Sequence, residues 1–235
     1  MIKDMSCNKV LLIYPPTNSI GGTSDSLWML EPLGLEYVAA ACSESQVLII
    51  DMRFEPDIFR AIKAFKPDLI AFTSLTCHVN AVIGLAVKIK HYWPYVKIVI
   101  GGQHATVKPE DFEIPQVDYI VRGDGYSVMR ELMVSPGSEK NIVGLSSNDG
   151  GSFNKTAVRD YEDLDTQPFP RRELVKKYSS SYRYEWHFGV SSIRTSVGCP
   201  FKCSFCSVDA LSAGKYIKRS VKNIVSELES ISSRI

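Results

Sequence analysis

The sequence lacks a charge imbalance: 27 Lys and Arg stand against 26 Asp and Glu, leaving +1 at pH 7 over 235 residues. Bulk charge therefore gives no reason to expect a nucleic-acid or anionic-membrane partner. No apolar run exceeds strand length, so no transmembrane helix is expected. Met1-Ile2-Lys3-Asp4 leads directly into a strand-like segment rather than a signal peptide. Neither G-x-G-x-x-G after the first strand nor G-x4-G-K-S/T occurs, which disfavours dinucleotide and P-loop nucleotide binding. There is no internal repeat and no low-complexity tract. The six cysteines do not read as a disulfide framework, and they point to a reducing compartment, the cytoplasm. Cys7, Cys42 and Cys77 lie far apart beside apolar segments and read as structural thiols.

What is present is ordinary globular composition, 45% hydrophobic and 23% charged. The length suits one large domain or two small ones. Residues 1–135 alternate strand and helix signals, as in a parallel α/β sheet. Val10–Tyr14, Val47–Asp51, Leu69–Thr73, Val96–Ile100 and Val117–Val121 read as five buried strands. Leu33–Cys42, the stripe Ile58, Phe59, Ile62 and Phe65, Val79–Trp93 and Tyr126–Met133 read as the helices between and after them. The expected fold is a doubly wound five-stranded parallel sheet with right-handed crossovers.

On such sheets ligands bind beyond the carboxyl ends of the strands. Those ends are rich in small and hydroxylated residues: Pro15–Gly22, Thr73-Ser74-Leu75-Thr76, Gly101-Gly102-Gln103-His104 and Gly123-Asp124-Gly125. Small residues let a bulky ligand approach backbone amides, and hydroxyls can bond its edge. Tight turns without a ligand are the competing explanation.

Residues 136–190 differ in character. Ile142–Leu145 and Ser152–Val158 read as a hairpin around Asn148-Asp149-Gly150-Gly151. Asp163–Asp165 and Pro168-Phe169-Pro170-Arg171-Arg172 read as an extended linker, and the aromatic run Tyr178–Phe188 as packed interdomain linker, with Glu185 and His187 also within reach of a site. From 191 to 235, Ser192–Ser196 reads as a strand. Ser220 reads as the cap of a helix with the stripe Val221, Ile224, Val225, Leu228 and Ile231.

Between them stands Gly198-Cys199-Pro200-Phe201-Lys202-Cys203-Ser204-Phe205-Cys206, with C-x3-C-x2-C spacing. Three thiolates so close on one loop can ligate three irons of a cubane and leave the fourth iron open for chemistry. A zinc knuckle or three unrelated thiols are the alternatives. Zinc usually takes paired C-x2-4-C sets, and no second pair follows.

This spacing, with an aromatic before the last cysteine, resembles the cluster loop of radical S-adenosylmethionine (SAM) enzymes. Further stretches widen the resemblance to residues 9–231: Tyr14-Pro15-Pro16, Glu31-Pro32-Leu33-Gly34-Leu35-Glu36-Tyr37, Gly101–Thr106, Val121–Gly125, Pro168–Arg171 and Ser196–Pro200. Together they resemble the N-terminal part of cobalamin-dependent radical SAM proteins of the class B methylase-like group.

The resemblance implies a flavodoxin-like, cobalamin-binding domain over 1–135, a hairpin and linker over 136–190, and over 191–235 the first βα unit of a radical SAM partial barrel. It implies that Cys199, Cys203 and Cys206 hold a 4Fe-4S cluster, with SAM on its open iron and Phe205 near the adenine. It places the cobalamin corrin against Thr73, Ser74, Thr76, Gly101, Gly102, Gln103, His104, Gly123, Asp124 and Gly125. The D-x-H-x-x-G signature of a cobalt-ligating His is absent. His78 and His104 do not sit in it, so base-off cobalamin without a protein His ligand is implied, with His104 in the loop wall. The implied reaction is methyl transfer to an unactivated carbon of a small-molecule or lipid substrate, by way of methylcobalamin and a 5′-deoxyadenosyl radical. Some family members use cobalamin for cyclisation or ring contraction instead. An electron donor of flavodoxin or ferredoxin type is implied as partner.

Two departures stand out. The fifth strand ends Gly123-Asp124-Gly125-Tyr126 where Gly-Glu-Gly-Glu is usual, and Val197 stands where Arg is common. A barrel of several βα units is represented by only one, so the expectation is a shortened chain or a second polypeptide that completes the barrel. A cobalamin-binding module with a vestigial cluster loop and no turnover is the alternative.

Overall fold

The computed structural model describes residues 8–16, 27–135, 137–212 and 214–232. Residues 17–22 of the first strand-end loop, and Cys7, lie outside them. The first part of the chain gives β1 (Lys9–Tyr14), β2 (Trp28–Met29), α1 (Leu33–Ala41), β3 (Gln46–Asp51), α2 (Ile58–Phe65), β4 (Leu69–Thr73) and α3 (Val79–Tyr92). Then come β5 (Lys97–Gly101), α4 (Gln103–Val107), β6 (Tyr119–Val121), α5 (Gly125–Val134), β7 (Leu145–Asp149) and β8 (Ser152–Lys155). The last part holds β9 (Arg183–Tyr184), β10 (His187–Phe188), β11 (Ser196–Gly198), α6 (Val208–Ser212), β12 (Tyr216–Lys218) and α7 (Val221–Ser232).

The main sheet runs β3-β1-β4-β5-β6-β7-β8, parallel as far as β6 and antiparallel beyond it. The direction of crossover reverses between β1 and β4, and a doubly wound sheet opens a crevice at that point. Alternation along the strands divides the core. Val10, Leu12, Ile49, Ala71 and Val121 face α1 and α5. Leu11, Ile13, Ile50, Phe72 and Ile100 face α2 and α3. A strand buried on both faces reads as the continuous apolar runs seen here, not as an alternating pattern.

Local signals fix the helix ends. Asp57 caps α2, its carboxylate accepting from Arg60 N at 3.3 Å, and Lys66 ends it in a left-handed turn at φ 54°. Asp124 caps α5 and accepts from Tyr126 N at 3.3 Å. Ser220 Oγ accepts from Asn223 N at 3.2 Å at the start of α7, as the sequence suggests.

The sheet has seven strands, not the five expected. The hairpin β7–β8, expected to lie with the linker, pairs onto β6 through Tyr119↔Ser147 and Val121↔Leu145. It covers an edge that β6 would otherwise leave unpaired, and its own Leu145 is fully buried. The linker is also more built than an extended segment. Residues Arg172–Ser181 form tight 3-10 turns that bury Val175 and Tyr178 against the α1 face. Tyr178 donates to Glu55 Oε2 at 2.7 Å, and Tyr182 to Asp51 Oδ2 at 3.4 Å, which straps the segment over the β3 edge. Part of the aromatic run forms β9 and β10, which make a small ribbon with β2, where Trp28 stacks on Tyr184. Among the described residues no helix is long and apolar enough to cross a membrane.

Two glycines make a test of backbone constraint. Gly123 has φ 87°, and a Cβ there would lie 2.0 Å from Arg159 O. Gly84, inside α3, has nothing within 4 Å. Gly123→Ala is expected to cost about 2 kcal/mol or more in urea unfolding. Gly84→Ala is expected to add roughly 0.5–1 kcal/mol, because alanine is the better helix former.

Candidate functional site

The carboxyl ends of β1, β4, β5 and β6, the start of α1 and the segment before the cysteine loop enclose a cavity of about 630 Å³. Among the residues expected at a strand-end site, Thr73, Gly101, Gly102, Gln103, Gly123, Asp124 and Gly125 line it. Gly102, at φ 97°, brings the backbone so close that a Cβ would sit 2.7 Å from Ser74 N. The wall is therefore main chain at this point, as a broad ligand laid across strand ends requires.

Ser74, Thr76 and His104 do not line the cavity. Ser74 is buried and holds the neighbouring loops, with His104 N donating to Ser74 O at 3.0 Å. The His104 ring is held on both sides, by Thr76 Oγ1 at 3.1 Å and Asp111 Oδ2 at 2.8 Å. His104 keeps the Asp111 carboxyl below its usual range. His78 is buried, takes a hydrogen bond from Leu75 N and packs edge-on against Tyr14.

The polar groups behind the cavity were not anticipated as site residues. Glu31, on the cavity wall, is ion-paired with Arg172 and accepts from Ser192 N at 2.6 Å. Arg172 Nη2 donates to Glu227 Oε1 at 2.6 Å and to Ser192 O at 2.7 Å. Glu227 in turn pairs with Arg219, which donates to Arg194 O at 2.8 Å and to Asn223 Oδ1 at 2.7 Å. Burial pulls the Arg172 guanidinium down, but the Glu227 hydrogen bond and the charges of Glu31 and Glu36 outweigh it, and the net shift is up.

Glu36 is fully buried beside this cluster. Its carboxyl oxygens have no hydrogen-bond partner, and Arg172 Nη1 is 3.8 Å away. Burial, then the charge of Glu31, pushes its pKa up to about 8. With Glu36 protonated, Glu31 and Glu227 balance Arg172 and Arg219 and the buried set is neutral. One sequence signal pointed here: Glu36 is a lone acid inside the apolar run Leu33–Cys42, and buried charges survive only when paired.

A second polar chain runs from the cavity outward. Asp124 accepts from Ser127 Oγ at 2.6 Å and from Gln167 Nε2 at 3.0 Å. Gln167 Oε1 accepts from Arg194 Nη2 at 2.6 Å. Arg194 lies 4.0 Å over the Tyr37 ring, and its Nε is buried without a partner. Burial raises the Asp124 carboxyl, opposed by the Ser127 hydroxyl and the Arg194 charge.

Arg194 leads into the cysteine loop, and here the structure departs from the sequence reading. The strand is Ser196–Gly198 rather than Ser192–Ser196, and it pairs antiparallel with β12 rather than starting a parallel βα unit. Ser192–Thr195 are held instead by side-chain bonds and by Arg219 N, which donates to Thr195 O at 3.0 Å. Gly198, at φ 81°, is pressed against Lys215, whose carbonyl would lie 1.8 Å from a Cβ. Cys199 is half-buried, Cys203 and Cys206 are exposed, and all three are free. Cys206 N donates to Cys203 O at 3.1 Å, which turns the loop.

Among the described residues no three or more His, Cys, Asp or Glu are gathered as a metal site. The donor set, three accessible thiols on one loop, fits an iron–sulfur cluster chemically, although the thiols are not converged. Phe205 is 90% exposed, with nothing among the described residues covering it. Glu185 lies exposed on the β9–β10 turn and His187 exposed at the start of β10.

Residues 27–133 match the family model described as the B12 binding domain. An uncharacterized methyltransferase of Pyrococcus horikoshii is 34% identical over 95% of this chain and 50% of its own length. Hopanoid C-3 methylase of Methylococcus capsulatus is 28% identical over 86% of this chain and 40% of its own. The cobalamin-dependent radical SAM methyltransferase TokK of Streptomyces tokunonensis is 27% identical over 60% of this chain and 22% of its own. The fold and the matched model define an α/β protein with a domain of the B12-binding family. More narrowly, the chain belongs to the cobalamin-dependent radical SAM family. It spans half or less of the length of these relatives.

Glu36 gives a pH prediction. Its pKa in the fold, about 8, lies above the usual 4.5, so the folded state binds the extra proton between those values. Stability should fall as pH rises from 4.5 to 8. Glu36→Gln should remove that slope and exceed the wild type above pH 8 by on the order of 1–3 kcal/mol. Urea melts at pH 6 and pH 8.5 measure it. An unchanged slope in the variant would refute the assignment.

Proposed function

We propose that the strand-end cavity holds cobalamin in base-off form and that Cys199, Cys203 and Cys206 hold a 4Fe-4S cluster that binds SAM. The observation that carries this reading is the shared wall: the strand-end glycines and the segment Ser196–Gly198 before Cys199 line the same cavity. A corrin seated there would lie next to the cluster loop. The bound groups would together supply methyl transfer to an unactivated carbon of a small-molecule or lipid substrate.

The chain's own residues bind and orient. Gly101, Gly102 and Gly123 let a large ring approach the main chain at the flavodoxin-like β1/β4 switch point, and Gln103 offers an amide to its edge. The rings of His78 and His104 are engaged within the protein, which suits cobalamin without a protein His ligand. The thiol of Cys77 and the three loop thiols, none in a disulfide, suit a reducing compartment, the cytoplasm, where a flavodoxin or ferredoxin would deliver electrons.

A second reading has a specific observation behind it. Val221, Val225 and Leu228 of α7, with Phe201 and Phe205, are exposed large hydrophobics. An apolar helix face left in water marks a contact surface. The rest of a barrel, from further sequence or from another polypeptide, would cover that face and draw the thiols together. On this reading the 235 residues bind cobalamin without turning over by themselves.

Anaerobic titration with hydroxocobalamin, desalting and a visible spectrum test the first claim. A retained, stoichiometric base-off spectrum is expected. Folded protein that keeps no corrinoid would refute the cavity assignment. Anaerobic reconstitution should give iron and acid-labile sulfide in cubane ratio, lost in a Cys199→Ala, Cys203→Ala, Cys206→Ala triple variant. Zinc without sulfide would instead support a structural metal site.

A further inference from the structure

Tyr161 lines the strand-end cavity from outside residues 27–133, in the segment that follows the β7–β8 hairpin. Main-chain bonds put it there. Arg159 makes a parallel bridge with Gly123 at the end of β6, its N donating to Arg122 O at 3.2 Å and its O accepting from Asp124 N at 3.3 Å. Gly123 permits this approach because it has no Cβ. The Arg159 guanidinium pairs with Glu131 at 2.8 Å and with Glu162 at 2.6 Å, which ties the chain on both sides of Tyr161. Further on, Leu164 is buried and Gln167 donates to Asp124 at 3.0 Å. The ring is therefore placed by contacts within the protein.

Its hydroxyl is not used by them. Among the described residues it has no hydrogen-bond partner, and it is not one of the unpaired polar atoms shut off from solvent. Burial raises the pKa of the phenol, helped by the charge of Asp124 and opposed by that of Arg194. Asp124 and Arg194 are wall residues of the same cavity, so the hydroxyl that feels both lies toward it. A phenol shifted upward keeps its proton at neutral pH and is a donor. A tyrosine held in advance loses little conformational freedom when a ligand arrives. Such a donor suits an occupant that carries amide carbonyls at its periphery, and a corrin ring is fringed with them.

We infer that Tyr161 is a cofactor-binding residue supplied from outside the B12-binding domain, its hydroxyl donating to a side-chain amide carbonyl of the corrin. The inference rests on the cobalamin reading. It adds that the corrin is held from two sides, by the glycine strand ends and by the segment after the hairpin.

Tyr161→Phe removes the hydroxyl alone. Because that hydroxyl bonds to no described residue, the ligand-free variant should unfold at the same urea midpoint as the wild type. Calorimetric titration with methylcobalamin in the dark should show binding about threefold to tenfold weaker than wild type, the worth of one hydrogen bond between neutral groups. Methylcobinamide, which keeps the corrin amides but lacks the nucleotide tail, should show the same ratio. Tyr95→Phe, at a tyrosine 94% exposed and outside the cavity wall, should change neither measurement.

Wild type that binds corrinoid no more tightly than Tyr161→Phe would overturn this inference and leave the cobalamin reading intact. A variant that fails to fold, or unfolds at a lower urea midpoint, would make the hydroxyl a structural group and overturn it as well. A loss seen with methylcobalamin but absent with methylcobinamide would move the contact to the nucleotide tail and overturn the corrin assignment. Wild type that binds no corrinoid would overturn both readings.

Discussion

The buried ion-pair cluster of Glu31, Glu36, Glu227, Arg172 and Arg219 is what the rest of the site depends on. Its five members come from four stretches: the approach to α1, α1 itself, the linker, and the region around α7. The last of these, α7, whose buried residue is Glu227, would not be placed by apolar packing alone. Charges this deep hold only while each has its partner, because an uncompensated one costs several kcal/mol. The cluster therefore fixes geometry more than it adds stability. It brings Ser192–Arg194 against the strand ends, since Glu31 holds Ser192 N and Arg219 holds Arg194 O.

The result is a cavity with two owners. One side is sheet: glycine-rich strand ends where, at Gly102 and Gly123, no Cβ fits. The other side is the segment that leads to three thiols, two of them exposed and that of Cys199 half-buried. In α/β proteins a ligand at the switch point normally meets loops of one domain. Here the far wall is supplied from the linker side of the molecule, so the strand ends and the segment that leads to the cysteine loop border one cavity. The antiparallel β11–β12 pair holds the base of the loop through Gly198, while its tip, with Phe201 and Phe205, stands in solvent.

Much of the sheet was legible. The five parallel strands announce themselves as short aliphatic runs ended by Gly, Pro or Asp, and period and length suffice to place them. The hairpin was legible as a hairpin but not as an edge. Its membership in the sheet depends on which strand lacks a neighbour, and that is a property of the assembled fold. The 3-10 strap at 172–181 and the small β2–β9–β10 ribbon carry no period at all. They exist because Tyr178 and Tyr182 find Glu55 and Asp51 across the sheet edge.

The sequence by itself determined the chemistry on offer: three thiols at C-x3-C-x2-C spacing, glycines at strand ends, and a net charge of only +1. Spacing and residue type are local, and local facts can be read without coordinates. Only the tertiary structure decided which of those groups meet. It turned His104 and Ser74 to holding loops rather than lining the cavity, left the thiols apart, and made Arg172, Gln167 and Arg194 part of the site. Those three were unreadable because their partners, Glu227, Asp124 and Tyr37, lie far away in sequence. A hydrogen bond between distant residues has no signature until the chain has folded around it.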